Sequence, residues 1–188
     1  MKSKRIVITG GPGTGKTAII KNLETRGFHC FHEVVRSLTF EAKKIGDPAT
    51  FVSNPLAFVD DPYLFNQKIL EGRIAHFNEA SHIKEAVLFY DRGLPDVLAY
   101  MKYFGQTYGE DFTSHCNHHR YDRVIVLPPW EEIYITDHER LETFEEAKEI
   151  HKCLEETYAA FKYESIEVPK GSIEERTTFI LNNLAKSL

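Results

Sequence analysis

The stretch Arg5-Ile-Val-Ile-Thr-Gly-Gly-Pro-Gly-Thr-Gly-Lys-Thr17 sets the frame for everything downstream of it. Ile6, Val7 and Ile8 form a short β-branched run suited to a central strand buried on both faces. Gly10 to Thr17 then reads G-x-x-x-x-G-K-T, a phosphate-binding loop, and Thr17-Ala-Ile-Ile-Lys-Asn-Leu23 continues as a helix. Gly10, Gly11, Gly13 and Gly15 leave no Cβ to hold a phosphate away, so successive backbone N–H groups, that of Thr14 included, can converge on it. Pro12 stiffens the start of the loop, and the following helix aims its positive end at the same anion. Lys16 supplies a mobile charge for the β- and γ-phosphates, and the Thr17 hydroxyl is placed to ligate Mg²⁺. A dinucleotide fingerprint is excluded, because Lys16 stands where its third glycine is needed. The loop predicts a nucleoside triphosphate as ligand.

With 188 residues, 42% of them hydrophobic and 27% charged, the chain suits one soluble globular domain, residues 1–188, with a full-sized core. A net charge of −5 without a long basic run argues against nucleic acid as a partner. Cys30, Cys116 and Cys153 are too scattered for a disulfide framework or a zinc ribbon. Met1-Lys-Ser-Lys-Arg5 leaves no room for a signal peptide, and no apolar stretch approaches the ~20 residues of a membrane span, so a cytoplasmic location is expected.

Strands alternate with helical stretches, which predicts a doubly wound α/β domain on a parallel sheet. Gly27 stops the first helix, and Phe28 to Glu33 reads as a second strand with Glu33 at its carboxyl end. Val34 to Ile45 reads as helix, carrying Arg36 in its first turn. Gly46 to Asp61 is irregular, a loop of the length that often serves a substrate. Asp61-Pro62 opens a helix to about Lys84, with Phe65, Ile69, Gly72, Ile74, His76, Phe77, Ala80 and Ile83 inward. Ala86 to Asp91 is the next inner strand, and a helix starts near Leu94-Pro95-Asp96. Tyr108 to Arg120 is polar helix and loop, and Tyr121 to Leu127 is the fourth strand. Two capping boxes, Thr143-x-x-Glu146 and Ser172-x-x-Glu175, open the last helices on either side of a fifth strand at Tyr163 to Val168. Ile173, Ile180, Leu181 and Leu184 are the expected inner stripe of the final helix.

Asp91 ends a hydrophobic strand downstream of the loop, where a carboxylate reaches the Mg²⁺ sphere, usually through water. Many loop-containing hydrolases place a glutamate next to polarise water, whereas this chain has Arg92, which cannot act as a base. An arginine there suits gripping a substrate or the shifting phosphate charge. No N-K-x-D segment exists to read guanine. Glu33 is the candidate general base, and Arg140 the candidate arginine of a lid that folds over the triphosphate. His115-Cys-Asn-His118-His119 is not read as a metal site, since adjacent histidines rarely face one ion. Phe51, Phe58, Tyr100 and Tyr103 could stack on an aromatic substrate, but core packing is their expected use.

Together these residues resemble the P-loop kinase-like AAA domain family related to the ribosylnicotinamide kinase half of the NadR regulator, from about Lys4 to Leu184. The resemblance rests on Gly-Gly-Pro-Gly-Thr-Gly-Lys-Thr17, His32-Glu-Val-Val-Arg36, Phe89-Tyr-Asp-Arg-Gly-Leu-Pro-Asp96, Thr136 to Arg140, and Val168-Pro-Lys-Gly-Ser-Ile-Glu-Glu-Arg176. The Asp-Arg pair and the strand-end glutamate also look like thymidylate and deoxynucleoside kinases, in which the glutamate is the base and the arginine holds the acceptor. The resemblance implies a three-layer P-loop fold with a five-stranded parallel sheet ordered 2-3-1-4-5, helices on both faces, and a short lid at about 130–143. It also implies adenine near Lys170, Gly171 and Ser172. Lys16, Glu33, Asp91, Arg92 and Arg140 would then carry phosphoryl transfer from Mg-ATP to a nucleoside-like or other small-molecule acceptor. The alternative is a nucleotide-dependent regulatory or lipid-binding protein with low turnover, with the 46–61 loop as the discriminating element.

Overall fold

The structure, a computed structural model, describes residues 3–35, 61–134 and 142–185. Its centre is a five-stranded sheet of β1 (Lys4–Thr9), β2 (His29–Phe31), β3 (Val87–Asp91), β4 (Arg123–Val126) and β5 (Ser165–Glu167). The order across the sheet is β2-β3-β1-β4-β5 and every pairing is parallel, as the resemblance implied. Six described helices surround it: α1 (Lys16–Thr25), α2 (Pro62–Glu79), α3 (Leu94–Tyr103), α4 (Glu110–His118), α5 (Phe144–Ala160) and α6 (Ile173–Ala185).

Alternation along β1 divides the core into two layers. Ile6 and Ile8 meet Ile19, Ile20 and Leu23 of α1 and Ile180 and Leu184 of α6. Val7 faces the other way, into the layer of Leu70 from α2, Leu98 and Met101 from α3, Phe112 from α4 and Tyr158 from α5. Helices on both faces exclude water from Ile6, Val7 and Ile8 completely, which is why this part of β1 reads as an unbroken apolar run.

The second to fifth strands are each shorter than their sequence runs, because the outer residues lie beyond the paired register of the neighbouring strand, whereas β1 extends past the Ile6–Ile8 run at both ends. The Asp61 carboxylate accepts from Leu64 N at 3.0 Å, so the second helix starts where the sequence places it. It ends at Glu79 and tightens into a 3₁₀ turn over Ala80–His82. Thr143 and Glu146 satisfy one another's backbone N–H groups, as do Ser172 and Glu175. One inward position is corrected: Ile173 is exposed, and Arg176 and Thr177 take the buried side of the first turn of α6. The helical period at that turn is set by what α6 meets, namely the phosphate loop rather than an apolar layer.

Gly72 makes room for a neighbour in the middle of α2. A Cβ there would lie 2.5 Å from Val34 Cγ1, and Val34 directly follows Glu33. Glycine to alanine inside a helix ordinarily gains about 1 kcal/mol, but overpacking a short branched neighbour costs about 1–3 kcal/mol. Gly72→Ala is therefore expected to lower stability in urea unfolding, and Val34→Ala combined with it to restore the helix gain. A stabilised single variant would show that α2 does not press on Val34.

Candidate functional site

Where β1 ends, the chain turns through Gly10 and Gly13 at φ of 144° and 72° before α1 begins, with Gly15 at 87° as its first flanking residue. These are left-handed values that side chains rarely tolerate. Packing constrains the same loop from outside. A Cβ on Gly11 would come within 2.6 Å of the Ala147 carbonyl in α5, and one on Gly13 would strike the Tyr134 ring. That ring is held by its hydroxyl, which donates to Glu142 O at 2.6 Å.

The Lys16 ammonium lies buried inside the loop, donating to Gly10 O at 2.9 Å and Gly11 O at 2.7 Å. Burial first, and then repulsion from Arg92, push its pKa down to about 7, although Asp91, Glu33 and Asp96 pull the other way. Arg92 ties this charged group to the loop, its Nη1 donating to Gly10 O at 3.4 Å.

Arg92 is the pivot of the group. Its backbone is left-handed at φ 72°, a conformation that costs an ordinary residue about 1 kcal/mol or more. The bond from Arg92 N to Ile8 O at 3.0 Å holds it there and extends the β1–β3 ladder by one residue. Its Nε donates to Glu33 Oε1 at 2.7 Å, its Nη1 to Asp96 Oδ1 at 3.2 Å, and its guanidinium lies over the Tyr100 ring. Burial opposes the charge on Arg92, but Glu33 leads the surrounding groups in keeping it protonated. Asp91, 7% exposed, ends β3 opposite Ile8.

Arg73 and Asp96 complete the arrangement, and neither was expected from the sequence to take part. Arg73, buried in α2, donates to Gly93 O at 2.7 Å and stands 3.7 Å from Glu33 Oε1. Glu33 therefore has two guanidinium groups on Oε1, while Oε2 has no partner among the described residues. Asp96 is fully buried and accepts from Thr9 Oγ1 at 2.6 Å, Tyr158 OH at 2.5 Å and Gly93 N at 2.9 Å. A signal was available in the capping position of Asp96 two residues after Gly93-Leu, but nothing in the sequence sets Arg73 apart from its helix.

Tyr100 packs partly buried beside Ala99, Ile150 and Leu154, with Tyr103 in the same cluster, which is the core use expected of both. His118 and His119 bond to carbonyls one turn back in or beside α4, at Ser114 and His115. Lys170 is exposed and Ser172 caps α6 through Glu175. Among the described residues the trio His151, Glu155 and Glu167 brings its ligand atoms within 4.8 Å of one another. Arg36, Arg140 and residues 46–60 and 135–141 of the expected substrate loop and lid lie outside the described residues.

An AAA domain family model matches residues 5–176. The chain belongs to this AAA domain family. No curated protein matches it. In fold, this AAA domain is similar to the deoxyadenosine kinase of M. mycoides solved with dCMP and dCDP, at a TM-score of 0.68 and 18% identity over 97% of this chain and 99% of that one. It is similar to the NadR protein in complex with NAD and AMP-PNP, at 0.68 and 17%, covering 98% of this chain but 49% of NadR. Thymidylate kinase from Candida albicans also matches, at 0.68 and 15% over 99% and 92% of the two chains. The described part of the AAA domain has no helix long and apolar enough to cross a membrane.

Asp96 supports this site through ionisation. Burial resists its charge, yet Arg73, Arg92 and two hydroxyl donors keep its pKa below 3.8. A carboxylate depressed on folding stabilises the folded state above its unfolded value and loses that contribution as pH falls. Asp96→Asn keeps the shape but removes the fully buried carboxylate bonded to Arg92, leaving Glu33 alone to balance Arg92 and Arg73, and breaking a buried pair in this way costs about 3–5 kcal/mol. Urea unfolding at neutral pH should register that loss, with the gap from wild type narrowing in acid. A variant as stable as wild type at pH 7 would remove Asp96 from its supporting role.

Proposed function

We propose that this AAA domain is an ATP-dependent phosphotransferase acting on the hydroxyl of a nucleoside-like or other small-molecule acceptor. The observation that carries the reading is Arg92, which bonds Glu33 at 2.7 Å and reaches Gly10 O of the phosphate loop at 3.4 Å, directly after Asp91. A deoxyadenosine kinase and a thymidylate kinase are among its fold neighbours, which agrees with the reading without naming an acceptor.

ATP is the donor, its phosphates in the cradle of residues 10–17, with Lys16 transferring its hydrogen bonds from loop carbonyls to phosphate oxygens. Lys170, Gly171 and Ser172 are assigned to the adenine side. Thr17 and Asp91 offer a hydroxyl and a carboxylate, the hard oxygen donors that suit Mg²⁺. When bound, Mg²⁺ neutralises charge developing on the transferred group. Arg92 orients the acceptor, and Glu33 takes its proton on Oε2, the atom its two arginine partners leave open. Positioning and charge stabilisation do most of the work in such a transfer. Arg140 serves from the lid. The whole chain acts as one domain.

Incubation with Mg-ATP and a panel of nucleosides and nucleoside monophosphates, followed by mass spectrometry, should reveal a phosphorylated product. Glu33→Gln should reduce its formation by roughly 10²–10⁴ while ATP affinity survives. If no panel member is phosphorylated while ADP accumulates without an acceptor at rates above about 1 s⁻¹, the chain is a hydrolase instead.

Lys16 makes the binding step pH-dependent. Its pKa near 7 rises when phosphate oxygens surround the ammonium, so above pH 7 the free lysine is partly neutral and binding must take up a proton. Affinity for ATP should thus fall as pH rises past neutrality. Calorimetry at pH 8 in buffers of different ionisation enthalpy should report net proton uptake in wild type and less in Lys16→Met. Equal heats in the two buffers for wild type would show that Lys16 is fully charged before ATP arrives.

A further inference from the structure

Arg176 is a buried cation that the assignments above leave without a task. It lies in the first turn of α6, 4% exposed, against the outer side of the phosphate loop. Its Nη2 donates to Thr14 O at 2.7 Å, and a Cβ added to Gly15 would come within 2.8 Å of its Nη1. The Trp130 ring stands 5.9 Å behind the guanidinium carbon. Its Nε is buried and unpartnered, and no carboxylate among the described residues pairs with it. The two adjacent acids are engaged elsewhere, Glu174 with Arg26 and Glu175 with Ser172. Burial accordingly lowers its pKa, with no anion among the described residues to restore it.

A charge withdrawn from water without a partner is costly, and folds retain one where a ligand supplies the opposite charge. The position of this one is informative. It touches Thr14 and Gly15, where the loop hands over to the amino-terminal end of α1, a surface already favourable to anions. The structure assigns Arg176 to the donor site as a second cation for the polyphosphate of the bound nucleotide, placed at the Thr14–Gly15 end of the loop, whereas Arg92 reaches Gly10 at its start. This assignment rests on the ATP-binding reading and extends it by one residue. Guanidinium suits the task because its fork can hold Thr14 O with one nitrogen and offer the others to phosphate oxygens.

The test compares wild type with Arg176→Gln, using inorganic tripolyphosphate and ATP as separate probes in calorimetry and thermal melts. Arg176→Gln should weaken both ligands about tenfold or more. Without ligand, its melting midpoint should stay level or rise, because an uncompensated charge has left the interior. A lower midpoint with ligand affinities intact would make Arg176 a purely structural residue and overturn the assignment. Loss of ATP affinity with tripolyphosphate unaffected would also overturn it, moving the contact from phosphate to base. If wild type binds neither probe, the ATP reading itself falls. If wild type binds both and the variant binds equally well, only Arg176 is wrong. Should Arg176→Gln not fold, the ¹⁵N resonance of Arg176 Nε in wild type carries the test. Tripolyphosphate should displace it, and an unmoved resonance rejects the contact.

Discussion

Asp96 is the constraint on which the site depends. One fully buried carboxylate receives hydrogen bonds from β1 through Thr9, from the β3–α3 turn through Gly93 N, from Arg92, and from α5 through Tyr158. Three separate parts of the chain, β1, the β3–α3 turn and α5, are thereby drawn to one carboxylate. A buried ion satisfied on this scale tolerates little displacement, because each lost bond exposes a desolvated charge. The left-handed conformation of Arg92 is sustained by that arrangement. The side chain that grips Glu33 therefore inherits its aim from Asp96.

The charges around the loop form a second level of order. Lys16, Arg92 and Arg73 face Glu33, Asp91 and Asp96, so cations and carboxylates are interleaved in a dry volume. In that setting the Lys16 ammonium is the least settled member, held by carbonyl oxygens and depressed toward neutrality by burial. Arg92 is the most settled, with carboxylates on two of its nitrogens. The difference matches their proposed duties, since a residue that follows phosphate needs to exchange partners and one that orients an acceptor does not.

Much of this was legible in the residues, for identifiable reasons. The loop and both capping boxes are local patterns, each visible within a few residues. Strand order came through the family resemblance, because pairing partners far apart leave no local trace. Arg73, Asp96 and Arg176 were not legible as site residues. Each is a charged side chain inside a helix, and a helix pattern reads such a residue as solvated until its neighbours across space are known. Ile173 was misassigned for the complementary reason: the apolar stripe of α6 was extended into a turn where Arg176 faces the loop.

The pairing of β1 bears on how the chain comes off the ribosome. Its two partners are β3 and β4, so Lys4–Thr9 has no strand to join until Val87–Asp91 has been made. At ~5–20 residues per second that is a wait of about 4–16 s. During it, one of the most apolar runs in the protein stands unpaired, with the glycine-rich loop attached. Contacts of such long sequence separation also slow the search for the folded state. The strand that leads into the phosphate loop is thus made long before its partners and completed late, and nascent chains stopped short of β3 should depend most heavily on chaperones.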